Sequence, residues 1–455
     1  MNLRRKSSTK TGLYALIVVL VLAVSGILLW GVNGFGRTPV NADFKKAVRT
    51  IPPTVAVGDG PPLPAPNSIN VQNYGAKGDG KSNDTEAIQA AINAAGKGKI
   101  VYFPPGDYQI DAVRSLHLKS DTTLQLSADT ILRAIPNAAP RYAILTVTSV
   151  ENVQITGGVL IGDRHKHFGL SGEWGMGIRI VGAKNVEIQG TTCNDFWGDG
   201  IYIGETTGGI PSENIRIIDF RADGNRRQGI SLISGRNIEI AGSRITNTQG
   251  TAPAAGIDIE PNQPRNVLEN IRIRDLYTAG NQGAGVLINP GAISGTRIPI
   301  NIAIVNHQDE NSDRGMQISS KGIIPGRVAI ENPQWRNARR NAIAIQSHDY
   351  RSFQINIQRA MITDANQASQ GAAIDIYRLK NTQPMENGGI GNVRIDSPVI
   401  ADTRDPTRTM AAFSIWDIPG LEIRNLVIIN PVLRGNLSKL LLQNDVRTFV
   451  HYSQH

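Results

Sequence analysis

A single cysteine, Cys193, stands among 455 residues. No internal disulfide can form, so stability has to come from packing alone, and the thiol reads as a small buried apolar residue. Aromatics are scarce at 5%. His165 and His167 have no matched His or Cys elsewhere in the chain, so neither a metal nor a cofactor is expected. A basic surface is also missing from the body. Of the formal net charge of +9, residues 1–66 supply six: Arg4, Arg5, Lys6, Lys10, Arg37, Lys45, Lys46 and Arg49 against Asp43 and Asp59. The remaining +3 is too thin for the dense basic face a nucleic-acid partner would need. What is plentiful is glycine, 47 residues, together with asparagine. Such a composition suits short strands and tight turns better than long helices.

Residues 13–30, LYALIVVLVLAVSGILLW, carry no charge. Their length is near the roughly 20 residues that cross a bilayer core. The basic segment 1–12 precedes them and is expected to stay in the cytoplasm, so that everything after the span is translocated. A cleaved signal peptide is the rival, but no A-x-A-like site follows Leu29. Residues 31–66, with prolines at 39, 52, 53, 61, 62, 64 and 66, form an extended tether. The expected organisation is a cytoplasmic segment 1–12, a single-pass membrane anchor 13–30, a linker 31–66 and an extracytoplasmic domain 67–455.

That domain repeats. A small residue followed by apolar-x-apolar occurs at Gly177, Gly200, Gly229, Gly256, Gly285, Gly315, Ala342 and Ala373, with steps of 23, 29, 27, 29, 30, 27 and 31 residues. Between the copies lie Asn-apolar pairs at Asn152, Asn185, Asn214, Asn237, Asn270 and Asn392, each opening an alternating strand. Alternation buries one face of each strand, and a period of this length with two or three strands is one coil of a solenoid that buries its apolar face only against its neighbours. Asparagine tolerates left-handed backbone at a corner, and its side chain could stack with the asparagine one coil away in a buried amide ladder. The fold class predicted is all-β, a right-handed parallel β-helix. Residues 70–108 read as its N-terminal cap: Asn83 and Glu86 resemble a capping box, Ile88 and Ile92 share a helix face, and Gly96 stops the helix.

The stretch NYGAKGDGKSNDTEAIQAAINAA…VYFPPGDY within 73–108 resembles the N-terminal segment of the pectate-lyase-like superfamily, which includes polygalacturonase-related (glycoside hydrolase family 28-related) proteins and phage depolymerases. The likeness extends over roughly residues 68–440. It implies the β-helix and a polysaccharide partner. It leaves the chemistry open among hydrolases, lyases, C5-epimerases and binding proteins, because one fold hosts many functions.

Middle residues of the repeated strand point away from the core, giving the column Arg179, Tyr202, Ser231, Asp258, Leu287, Gln317, Ala344 and Asp375. The connections after these strands vary from 8 to 14 residues and are expected to wall a cleft. Four polar pieces adjoin consecutive coils: 163–176, 194–202, 225–231 and 256–261. They supply catalytic candidates Asp199, Asp258, Glu260 and Glu173, and substrate-binding candidates Arg226, Arg227, Gln228, Trp174, Trp197, Tyr202 and Ser231. Carboxylates about 6.5–9.5 Å apart suit inverting glycoside hydrolysis, one as acid and one as base. An arginine can clamp a substrate carboxylate, and the aromatics can stack on sugars. Each residue also has an ordinary reading. Asp199 can bond turn backbone, Asp258 and Glu260 can be solvated sheet charges, Glu173 and the arginines can pair, and the tryptophans can pack loops.

Asp199, in Trp-Gly-Asp-Gly-Ile-Tyr, matches the first catalytic aspartate of the polygalacturonase Asn-Thr-Asp-Gly pattern. The chain departs from that pattern elsewhere. Gln228-Gly229 replaces an Asp-Asp pair, Ala255-Gly256 replaces Gly-His-Gly, and the Arg-Ile-Lys segment is absent, so Asp258 and Glu260 would have to replace the lost acids. The leading expectation is a membrane-anchored glycoside hydrolase acting on a polysaccharide. A lyase or C5-epimerase and a non-catalytic glycan-binding or export scaffold are the alternatives.

Overall fold

The computed structural model describes residues 68–379, 389–416 and 423–443. The expected cytoplasmic segment, anchor and linker lie outside these residues. Among the described residues no helix is long and apolar enough to cross a membrane.

The described chain winds into a right-handed parallel β-solenoid of about twelve coils. Sheet I has 13 strands, from Ile69–Asn70 to Ile423–Ile429; sheet II has 13, from Asp79–Asn83 to Val432–Gly435; sheet III has 12, from Leu116–His117 to Leu441–Gln443. Every strand pairs in parallel with its equivalent in the neighbouring coils. In sheet III, Ile178 pairs with Ile201, Ile201 with Ile230, Ile230 with Ile257 and Ile257 with Val286. All five side chains have zero exposure, and each such burial is worth about 1.5–3 kcal/mol. Because equivalent aliphatics stack column on column, the repeat seen in the sequence is the core itself.

The corner into sheet I is made by the repeated asparagines. Asn152, Asn185, Asn214, Asn237, Asn270 and Asn392 all have φ between 52° and 58°, a conformation asparagine adopts more cheaply than other residues with a Cβ. Four side-chain bonds of 2.9–3.0 Å link Asn152, Asn185, Asn214, Asn237 and Asn270 in series. The expected ladder exists and is buried only at Asn214: Asn152 is exposed, and Asn185, Asn237 and Asn270 are half-buried.

The repeated glycine has a different cause. A Cβ on Gly200 would lie 2.7 Å from the Gly229 carbonyl, and one on Gly229 would lie 2.7 Å from the Gly256 carbonyl. Successive coils touch backbone to backbone here, so only the smallest residue fits. The chain turns at this glycine. The residue before it and the residue two places after it therefore both face the outer side of sheet III.

At the N-terminal end the helix Thr85–Ala94 lays Ile88, Ala91 and Ile92 on the first coil with no exposure, covering a strand edge that would otherwise template aggregation. The expected capping box is not what starts it. Asp84 is the N-cap residue, and its carboxylate instead accepts from the Lys77 and Gly78 amides. Asn83 accepts from Thr85, and Glu86 turns outward to Arg114 at 2.7 Å. The stop comes at Ala95, whose backbone is already extended, one residue before Gly96.

Candidate functional site

The outer face of sheet III between residues 173 and 260 collects most of the candidate residues in two layers. Asp199 and Gln228 are register partners on adjacent coils, both preceding the close-packed glycines, and Tyr202, Ser231 and Asp258 follow one another in the middle column. Asp199, Gln228, Ser231 and Asp258 all have zero exposure and form a buried floor. Above them lie the half-buried Glu173, Arg227, Tyr202 and Glu260.

The floor is a connected network. Ser231 Oγ donates to Asp199 Oδ2 at 2.9 Å, and Arg227 Nη1 approaches the same oxygen at 3.2 Å. Gln228 Nε2 donates to Asp258 Oδ2 at 3.0 Å while its Oε1 accepts from the Ala255 amide. Asp258 Oδ1 is buried without a hydrogen-bond partner among the described residues. Asp199 and Asp258 stand two coils apart, roughly 10 Å in the stacking direction, and three positions apart in register, since Asp199 aligns with Gln228 and Ala255.

Electrostatics separate these acids from ordinary surface carboxylates. Burial pushes Asp199 up from 3.8 to about 6, against the opposing pull of Arg227 and the Ser231 hydroxyl. Burial also drives Asp258 well above the usual range, reinforced by the neighbouring Glu260. Arg227 is penalised by its own burial, yet the charges of Asp199, Glu173, Asp258 and Glu260 outweigh that and strengthen its hold on the proton. Its Nε lies 3.6 Å from Glu173 Oε1, beyond hydrogen-bond reach. Arg227 is therefore a cation shared by four carboxylates and a partial cover over Asp199.

Several expectations change. Arg226 does not face the groove as a carboxylate clamp. Its guanidinium lies 3.7 Å from the Trp197 ring centroid and donates to the Gly172 and Trp197 carbonyls. Trp197 is held between Arg226 and His167, whose ring stacks on it at 4.2 Å, so both candidates are occupied in packing. His167 bonds the buried Asp163 at 2.9 Å, His165 faces Asp195, and no cluster of three metal-ligating side chains exists among the described residues. Glu260 lies one residue beyond its strand, Ala255–Ile259, and accepts from Asn289 Nδ2 at 2.6 Å. Trp174 stays at the rim, with the Arg141 guanidinium 5.0 Å from its ring. Cys193 is fully buried, as expected. The longest connection beside the cluster is 162–173, which enters sheet III, rather than one of those that leave it.

Two basic residues were not among the site candidates drawn from the sequence. Arg141 and Arg179 lie on neighbouring coils below Tyr202: Arg141 pairs in register with Trp174, and Arg179 with Tyr202. Both arginines and Arg227 act electrostatically on the Tyr202 phenol, whose pKa is nonetheless raised, chiefly by burial. Arg179 was visible in the outward column. Arg141 had no signal beyond preceding an apolar run. An open cavity of about 380 Å³ lies away from all of this, on sheet II, between Asp107, Arg133, His165, Lys166 and Asp195.

Comparison with known proteins places this parallel β-helix among hydrolases, epimerases, an adhesin and phage appendage proteins. Residues 68–285 match the family model described as rhamnogalacturonase A/epimerase, pectate lyase-like. The resemblance to the pectate-lyase-like superfamily read from residues 73–108 is borne out over residues 68–285, just under half of the chain. It is 31% identical over 251 residues to the uncharacterized protein YclG of Bacillus subtilis, covering 48% of this chain and 43% of that one. It is 28% identical over 239 residues to the exo-poly-alpha-D-galacturonosidase of Dickeya chrysanthemi, covering 49% and 38%. The chain thus spans less than half the length of these curated relatives. In fold it is similar to the A-module of the mannuronan C-5 epimerase AlgE4 of Azotobacter vinelandii, with a TM-score of 0.66 at 18% identity, over 85% of this chain and all of that one.

Proposed function

We propose that the chain is a polysaccharide-cleaving enzyme of the hydrolase type, with Asp258 as general acid and Asp199 as the carboxylate that activates water. One observation carries the assignment. Asp258 is a buried acid whose pKa is raised and whose Oδ1 has no partner among the described residues, so burial favours the protonated form that a general acid needs. Asp199, two coils away, is ionised above about pH 6 and would serve as the base that activates water in an inverting displacement. Both acids are covered, so substrate must draw Arg227 aside. An anionic sugar would do this by exchanging one ion pair for another. Glu173 and Glu260 hold the guanidinium from the rim.

The test is incubation of the full chain with polygalacturonate, alginate and neutral glucans, scoring new reducing ends and ultraviolet-absorbing unsaturated ends. Reducing ends without unsaturation, lost in Asp258→Asn, support hydrolysis. Unsaturated ends support the second reading in its elimination form; C5-epimerisation leaves both end counts unchanged and is read as a changed uronate composition by proton NMR of the recovered polymer. That reading is favoured by the Tyr202 phenol among Arg141, Arg179 and Arg227, where arginines would neutralise a uronate and the phenol would move a proton. No new ends and no change in uronate composition leave the binding-scaffold reading. The proposal places the body outside the cytoplasm on the 13–30 anchor, and a topology reporter fused at residue 455 checks it.

A further inference from the structure

We infer that the carboxylate cluster is one end of a longer glycan-binding lane, which runs along sheet III toward the C-terminus and ends on an aromatic platform. The inference rests on the polysaccharide reading above and adds where, and in what chemical form, the rest of the sugar chain is held. Glu260 begins a column whose next members, one per coil, are Asn289, Ser319, Gln346, Tyr377 and Trp416. Register fixes the column: Ile259 pairs with Ile288 and Ile288 with Ile318, so the residues that follow them are aligned, and then Ser319 pairs with Gln346, Gln346 with Tyr377 and Tyr377 with Trp416. Each lies two places after the middle column and so faces the same outer side as Asp258. Six coils span about 24 Å at roughly 4.8 Å each, the length of several sugar rings.

The chemistry of the column changes along its length. At one end Asn289 donates to Glu260 at 2.6 Å and Ser319 donates to Asn289 at 2.8 Å, so a line of oriented amides and hydroxyls leads away from the acids. Gln346 donates to the Tyr377 hydroxyl at 2.5 Å and accepts from Gln317 at 3.3 Å. At the far end Trp416 is 43% exposed, although it sits on a sheet strand, and its indole N–H is bound to Ser414 Oγ, which fixes the ring. Beyond Glu260 the column holds no ionisable carboxylate, amine or guanidinium. Neutral donors and acceptors followed by two adjacent aromatic rings suit the hydroxyl edges and apolar faces of pyranose rings. They do not suit a protein strand, which would need a free sheet edge. A nucleic acid would need phosphate-binding cations, which the column does not offer.

Affinity electrophoresis of the full chain in gels cast with polygalacturonate, alginate or dextran tests this. Wild type should be retarded in at least one gel, and Trp416→Ala should bind that polysaccharide roughly tenfold more weakly, equivalent to about 1.4 kcal/mol. Tyr377→Ala should weaken binding in the same gel, and Trp416→Phe should restore most of the loss, which separates lost stacking from lost folding. Retardation of Trp416→Ala and Tyr377→Ala equal to wild type would overturn the lane while leaving the polysaccharide reading standing. Absence of retardation of wild type in all three gels would overturn both.

Discussion

Replacing Asp199 by asparagine should change how stability depends on pH, in a direction fixed by the raised pKa. Below pH 3.8 the Asp199 carboxyl is protonated in both the folded and unfolded chain. Between 3.8 and about 6 the unfolded chain releases its proton while the folded chain retains it, so folding stability falls as pH rises. Above about 6 both forms are ionised, and the folded state carries the whole difference. Moving this side chain, which has no solvent exposure, from 3.8 to about 6 corresponds to about 3 kcal/mol at 1.36 kcal/mol per pH unit. Asparagine has nothing to ionise. The stability of Asp199→Asn relative to wild type should therefore rise by about 3 kcal/mol between pH 4 and pH 8. For a domain this large the melting temperature moves by about 1 °C per kcal/mol, so the difference between variants should grow by roughly 3–4 °C. Urea denaturation of both proteins at half-unit pH steps reads this directly. Comparing the two removes the contributions of other buried acids that titrate in the same range. Parallel profiles from pH 4 to pH 8 would refute the reasoning, because they would mean that Asp199 is not held protonated by the fold. The same variant should lose turnover at every pH, since the water-activating charge is gone.

Three further outcomes follow from the geometry. Arg227→Ala leaves Asp199 buried without its cation and should cost about 3–5 kcal/mol where the acid is ionised; because protonation relieves the loss, denaturation should show a larger deficit at pH 8 than at pH 5. Gly200→Ala drives a methyl to within 2.7 Å of the Gly229 carbonyl and should destabilise by about 1–3 kcal/mol, whereas a neutral effect by calorimetry would mean the coils can part there at no cost. Asn214→Ala removes a bond to Asn185 and one from Asn237 at a φ of 56° and should cost about 2–4 kcal/mol; Asn214→Gly keeps the backbone cheap and should recover about half, and equal losses in the two variants would refute the conformational share.

The solenoid was legible because its physics is written once per coil. A glycine where backbones touch, two aliphatics facing inward and an asparagine at the bend recur at nearly constant spacing, and each answers a local requirement that repeats. The column Tyr202, Ser231 and Asp258 could be read for the same reason, since strand parity alone decides it. Parity says nothing about depth. It placed Asp258 and Glu260 on one face, but not Asp258 in a buried floor and Glu260 on the rim, because depth depends on what the neighbouring coils and the 162–173 connection lay on top. Arg226 and Arg227 are adjacent in sequence and indistinguishable by composition. One packs on Trp197 and the other sits among four carboxylates, and only three-dimensional packing separates them. The capping box failed because the helix starts one residue later than the Asn83–Glu86 spacing requires: Asp84 is the N-cap residue, and Glu86 pairs with Arg114 instead.

A raised carboxyl pKa does not by itself mark a reactive acid in this fold. Asp309 is pushed up to about 7 by burial, further than Asp199, yet it lies on an inner face with Thr278 and Ser312 donating to it. Thr278 also contacts His307, itself buried and lowered to about 3. Both groups are sealed inside the solenoid, His307 neutral across the physiological range and Asp309 holding its proton up to about pH 7, and their shifts record mainly the cost of burying charge. Asp199 and Asp258 differ in facing outward, where the charge of Arg227 opposes the effect of burial on both. An incoming anion that takes Arg227 from Asp199 removes the one interaction holding that acid's pKa down from the cationic side, so substrate binding and proton affinity are coupled at this site and at neither interior group. A reactive acid in a β-helix is thus better recognised by a removable counter-charge on the outer face than by the size of its pKa shift.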